Sequence, residues 1–174
     1  TQSALTFLIH IDQALAKSDP SIHDAVVYAL EKLIAAQYPN GAWPQRFIEA
    51  PDPTKYPVIK ASYPESWSRE WVTRDYKGDY TFNDNSIADM IELMLLAHDA
   101  YGDVRYRDAA LRGGDFILLA QMPDPQPGWA QQYDAEMHPV WARKFEPPAI
   151  GGGESQGVMR TLIDLFDKTG EKRF

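Results

Sequence analysis

The stretch SIHDAVVYALEKLIAAQYPNGAWPQ, Ser21 to Gln45, decides the fold, because the chain states it twice. Apolar residues recur at helical spacing over Ser21–Gln37, and a Gly/Trp loop follows. RDAALRGGDFILLAQMPDPQPGWAQ, Arg107 to Gln131, repeats the plan. Asp24-Ala25 matches Asp108-Ala109 and Gln37 matches Gln121, both at an offset of 84. The loops Tyr38–Gln45 and Met122–Gln131 both carry Pro, Gly, Trp and Gln in that order. Each helix has another before it, over Ser3–Lys17 and Ser86–Tyr101. The unit is a helical hairpin closed by a Gly/Trp loop, and such hairpins bury both faces only by stacking on neighbours.

A third unit is expected from Glu154, since LIDLFDKTGEKRF (Leu162–Phe174) resembles MLLAHDAYGDVRY (Met94–Tyr106). The expected fold is all-α, one domain over residues 1–174. Its architecture is a partial α/α toroid of repeated helical hairpins, with loops at one end building the site. A helical solenoid is the alternative. The third hairpin stops at its turn, so the reading expects a truncated chain with an uncovered apolar face. The segment Arg46–Tyr80, rich in Pro, Tyr and Trp, is an irregular insert, and loops of that length are usually functional.

Composition bounds the chemistry. Hydrophobic residues make up 44% of the 174, so the chain can bury a core. With no cysteine, disulfides and Cys-based zinc sites are excluded. No apolar run is long enough to span a membrane. A formal charge of −8 argues against nucleic acid and means that an anionic substrate needs local cations or a metal. No HExxH, GxGxxG or Walker pattern occurs.

Three places could do chemistry. In TFNDN, Asp84 stands between Asn83 and Asn85 just ahead of a helix. It is either part of a cap, with Asn85 or Ser86 capping and Asp89 close to a capping box, or it points its oxygens at a ligand. Asp134 ends QPGWAQQYD, where the first repeat has Ile48, so the scaffold does not require an acid there. In WARKFEPPAIGGGES, Arg143 and Lys144 beside Glu146 are either a solvated face or a clamp for carboxylates. The glycines at 151–153 permit positive φ and close approach. Tyr63, Trp67, Trp71 and Tyr76 could stack on sugar rings or pack in the core.

Taken together, QYPNGAWPQRF, YKGDYTFNDN, PGWAQQYD and WARKFEPPAI resemble pectate lyases of polysaccharide lyase family 10, over roughly Ala35 to Lys168. The resemblance implies a secreted or periplasmic enzyme, monomeric when full-length, with polygalacturonate as partner and neither nucleic acid nor membrane. It would cleave de-esterified polygalacturonate by β-elimination to unsaturated oligogalacturonates. Ca²⁺ would be the cofactor, neutralising the uronate so that its C5 proton becomes acidic. Asp84 and Asp134 match the family's acids and would hold the metal in one cleft, with Asp84 also catalytic. Asn83, Asn85, Arg143, Lys144 and Trp129 would bind substrate. The family's arginine base has no matching motif here and is expected beyond Phe174. Two other readings stay open. One is an inverting glycoside hydrolase using Asp84 and Asp134 as acid and base, roughly 6.5–9.5 Å apart. The other is a fragment that binds polygalacturonate without cleaving it.

Overall fold

The computed structural model describes residues 2–47 and 49–174. Five helices carry the fold: α1 (Gln2–Ala14), α2 (Pro20–Ala36), α3 (Ser86–Tyr101), α4 (Val104–Ala120) and α5 (Gly152–Thr169). Two short strands, β1 (Tyr80–Thr81) and β2 (Gln132–Tyr133), pair antiparallel. The chain is all-α, as expected. No helix in the described residues is long and apolar enough to cross a membrane.

The repeat is exact in register. Helices α2 and α4 are both 17 residues long and begin and end 84 positions apart. Each starts at an aspartate N-cap: the Asp19 carboxylate accepts from the backbone N–H groups of Ser21 and Ile22, and that of Asp103 from Arg105. The Gly/Trp loops close alike. Tyr38 N–H donates to Ala42 O at 2.8 Å, and Met122 N–H to Gly128 O at 2.9 Å. Trp43 Nε1 donates to Leu33 O at 2.9 Å, and Trp129 Nε1 to Ile117 O at 2.8 Å. In each case the indole returns to the last turn of the helix that precedes it.

Side-chain bonds fix how the repeats sit. Arg105 pairs with Glu31 at 2.6 Å, while Gln37 Nε2 donates to Ala109 O and Gln37 Oε1 accepts from Arg112 Nε, both at 2.9 Å. Advancing along α2 advances along α4, so the two run parallel and their loops leave at the same end. Helix α3 lies between α1, α4 and α5 and buries Ile87, Met90, Ile91, Leu93, Met94, Leu95 and Ala97. Two glycines permit the close seating. A Cβ on Gly113 would come within 2.7 Å of Ile91 and 2.9 Å of Trp43. Gly41 has φ +96° and lies against the Arg112 carbonyl.

Several boundaries differ from the sequence reading. Helix α1 ends at Ala14 rather than Lys17, because Ala16 and Lys17 take positive φ and Lys17 N–H turns back to Asp12 O at 2.8 Å. Helix α4 begins at Val104, where Asp103 caps it. Helix α5 begins at Gly152, so Gly152 and Gly153 are helical, and none of the glycines at 151–153 takes positive φ. Among its described residues the insert is irregular apart from one helical turn at Pro53–Lys55 and Tyr80, which opens β1. It is pinned at several points: Tyr56 stacks on Tyr38, Ala61 N–H reaches Leu119 O, and Trp71 Nε1 reaches Ala142 O at 3.1 Å. On α5, Met159, Ile163 and Phe166 are 46%, 58% and 45% exposed at helical spacing.

Candidate functional site

The loop end of the hairpins holds a cleft of about 950 Å³. Its walls include Trp43, Gln45, Arg46 and Phe47 from the first Gly/Trp loop, Tyr76 from the insert, and Asn83, Asp84 and Ser86. Arg143 and Glu146 complete it.

The β-ladder sets its geometry. Tyr80 is opposite Tyr133 and Thr81 opposite Gln132, and the N–H groups of Phe82 and Asn83 both donate to Gln131 O. TFNDN is thereby bound to QQYD. Beyond the ladder, Asp84 (φ 55°, ψ 30°) and Asn85 (φ 56°, ψ 22°) are both left-handed. The conformation costs about 1–2 kcal/mol per ordinary residue, less for Asn and Asp, so the surroundings must hold it. Asn83 does so from both ends of its amide. Its Oδ1 accepts from Asp84 N–H at 3.0 Å, and its Nδ2 donates to Glu146 Oε1 at 2.6 Å. Ser86 Oγ adds a bond to Asn83 O at 2.8 Å.

The capping reading fails. Asn85 occupies the N-cap of α3 but makes no side-chain cap bond. Asp84 is exposed at the cleft, and its carboxylate has no hydrogen-bond partner among the described residues. The triplet is a turn that presents an acid.

Behind it stands Glu146, 4% exposed. It accepts from Arg143 backbone N–H at 3.1 Å, from Arg143 Nε at 2.9 Å and from Nη2. The Arg143 guanidinium beside it holds its carboxyl below the usual glutamate range. The same guanidinium lies over the Phe145 ring, 4.7 Å from its centroid. Arg143 therefore lines the cleft with its fork already filled. Lys144 is exposed and outside the cleft walls; only its carbonyl is engaged, by Trp141 Nε1 at 3.2 Å. Trp129, 3% exposed, is a wedge between α4 and Ser155 rather than an open platform.

Asp134 corrects a second expectation. The register carries it opposite Asp79, at one end of the ladder, while Asp84 stands beyond the other. Its Oδ1 accepts from Glu136 N–H at 3.1 Å and His138 N–H at 2.9 Å, closing a tight turn. It is not among the cleft walls. Its charge is felt instead by Asp79, which burial raises to about 6 against the opposing pull of its partner Arg74. The comparison with Ile48 falls on a residue outside those described. Of the aromatics, Tyr76 lines the cleft, whereas Tyr63 and Trp67 line a second hollow beside Trp129.

Calcium takes six to eight oxygen ligands. Among the described residues no three His, Cys, Asp or Glu side chains gather to hold a metal. Asp84 offers a free carboxylate, but Glu146 is consumed by Arg143. The free carboxylate of Asp84 is of the donor type that calcium takes.

Sequence reading missed Glu146 as the buried anchor and Arg46 as a cleft cation. Both lie inside quoted motifs, and what marked neither was burial and partnering.

Fold and site together define an all-α protein of repeated helical hairpins, with a polar, ladder-braced cleft at its loop end. The chain belongs to the pectic acid lyase family, whose profile matches residues 1–172. It is similar in structure to a family 10 polysaccharide lyase from Cellvibrio cellulosa, with a TM-score of 0.70 and 25% identity over 93% of this chain and 47% of that one. A mutant of that lyase in complex with trigalacturonic acid matches with a TM-score of 0.69 and 24% identity, over 93% and 47% of the two chains. The chain thus spans about half the length of these relatives. No curated protein matches it.

Proposed function

We propose that this chain contributes the substrate cleft of a secreted or periplasmic pectate lyase. The enzyme cleaves de-esterified polygalacturonate by β-elimination, on a partial α/α toroid. The observation that carries the reading is the strained, braced presentation of Asp84 at the cleft, within a family whose solved relative was captured with trigalacturonic acid.

In this reading Asp84 is the acid that meets the substrate. Asn83 fixes its backbone, and Glu146 with Arg143 fixes Asn83. Asp84 is the residue of this chain that would hold a calcium ion, and such an ion would supply neutralisation of the uronate charge. Asp134 shapes the ladder end and the turn that follows. Asp134 lies outside the cleft walls and its carboxylate closes a turn, which weighs against a hydrolase acid–base pair with Asp84.

The test is turnover. In the enzyme that combines this cleft with the arginine base, polygalacturonate should yield a product absorbing in the near ultraviolet from its new C=C bond, and highly methyl-esterified pectin much less. Reducing ends without that absorbance would mean hydrolysis and would reject the reading.

A further inference from the structure

Arg46 sits in the cleft wall, and nothing in the reading so far uses it. Among the described residues two cations face this cleft, Arg46 and Arg143. Arg143 gives Nε and Nη2 to Glu146 and lies on Phe145, so the Nε/Nη2 edge of its guanidinium is already paired within the protein. Arg46 has no acidic partner and no side-chain hydrogen bond among the described residues, although acids outnumber bases, 25 to 17.

Its neighbours hold it in place. Trp43 bonds Leu33 O, Asn40 Oδ1 accepts from Ala42 N–H at 3.2 Å, and Gln45 Nε2 donates to Thr81 Oγ1. The loop is therefore fixed to α2 on one side and to β1 on the other, one residue before Arg46. Phe47 follows, 41% exposed and also in the cleft wall. A guanidinium with an open fork beside an exposed ring is a receptor for an acidic sugar. The fork takes the carboxylate through two parallel hydrogen bonds, and the ring takes the apolar sugar face. Asp84 in the same cleft repels a uronate, so an unspent cation nearby offsets that repulsion.

We infer that Arg46 and Phe47 form a uronate-binding subsite, in which Arg46 selects the free carboxylate over its methyl ester and Phe47 binds the ring of either. The inference rests on the cleft being the polygalacturonate site.

Calorimetric titration of the protein with trigalacturonic acid and with its trimethyl ester tests it. Wild type should prefer the acid. Arg46→Gln should weaken binding of the acid about tenfold, the usual scale for one charge-assisted pair, and leave the ester unchanged. Arg46→Lys should fall between. Phe47→Ala should weaken both ligands alike, and Lys32→Gln, exposed on α2 and outside the cleft walls, should alter neither. If wild type prefers the acid and Arg46→Gln keeps that preference, this subsite is wrong while the cleft reading stands. If wild type binds neither ligand, both fall.

Discussion

Asn83 donates its amide at 2.6 Å to the Glu146 carboxylate, 63 positions further along the chain, and with its other end accepts the N–H of Asp84. One side chain couples the WARKFEPPAI loop to the turn that displays the acid. Asn83→Ala should therefore leave a buried carboxylate short of a donor and free the left-handed turn. A loss of about 1–3 kcal/mol is expected in denaturant unfolding.

Glu146 has its own pH signature. Arg143 lowers its folded-state pKa, so the pair stabilises the fold above the unfolded glutamate pKa, and this is lost as pH falls through the lower folded value. Arg143 is 45% exposed, which tempers the gain through solvent screening. In Glu146→Gln, the acid-side decline in melting temperature should be shallower than in wild type.

Asp79 titrates in the opposite sense. Its folded pKa is raised to about 6 by burial, so between the ordinary aspartate value and about 6 the folded state holds the extra proton. Stability contributed by this group therefore falls as pH rises through that window. Carboxyl carbon NMR should place its midpoint near pH 6, and Asp79→Asn should remove this part of the pH dependence.

Trp129 separates an anchor from a platform. Trp129→Phe leaves the Ile117 carbonyl without its indole donor, and about 1–3 kcal/mol of stability should go with it. Affinity for trigalacturonic acid should not change. A loss of affinity with unchanged stability would return Trp129 to the substrate.

The hairpins were legible because they repeat. Trp43 and Trp129 recur at near-constant offset and do the same local work, whereas Gln37 is buried against Ala109 and Arg112 and its counterpart Gln121 is exposed. TFNDN and QQYD were legible as motifs, and the ladder does join them. Their internal geometry was not legible. A period-2 register decides that Asp134 meets Asp79, and no local pattern in either strand announces a partner so distant in sequence. Arg143 looked like a free clamp because burial of Glu146, three residues on, is a tertiary fact. The end of α1 was misplaced for a similar reason: Ala16 and Lys17 are ordinary helix formers, yet the turn into α2 sets both at positive φ.

The central claim is that the NDN turn presents Asp84 to an acidic polysaccharide rather than capping a helix. Asp84→Asn, made in the proposed enzyme that combines this cleft with the arginine base, measures it most directly, with unfolding and near-ultraviolet product formation from polygalacturonate followed on the same preparation. The carboxylate is exposed and has no partner among the described residues, and Asn tolerates the left-handed conformation. Stability should therefore move by no more than about 0.5 kcal/mol. Product formation should be abolished. Undiminished product formation, or a loss that tracks unfolding, would contradict the account.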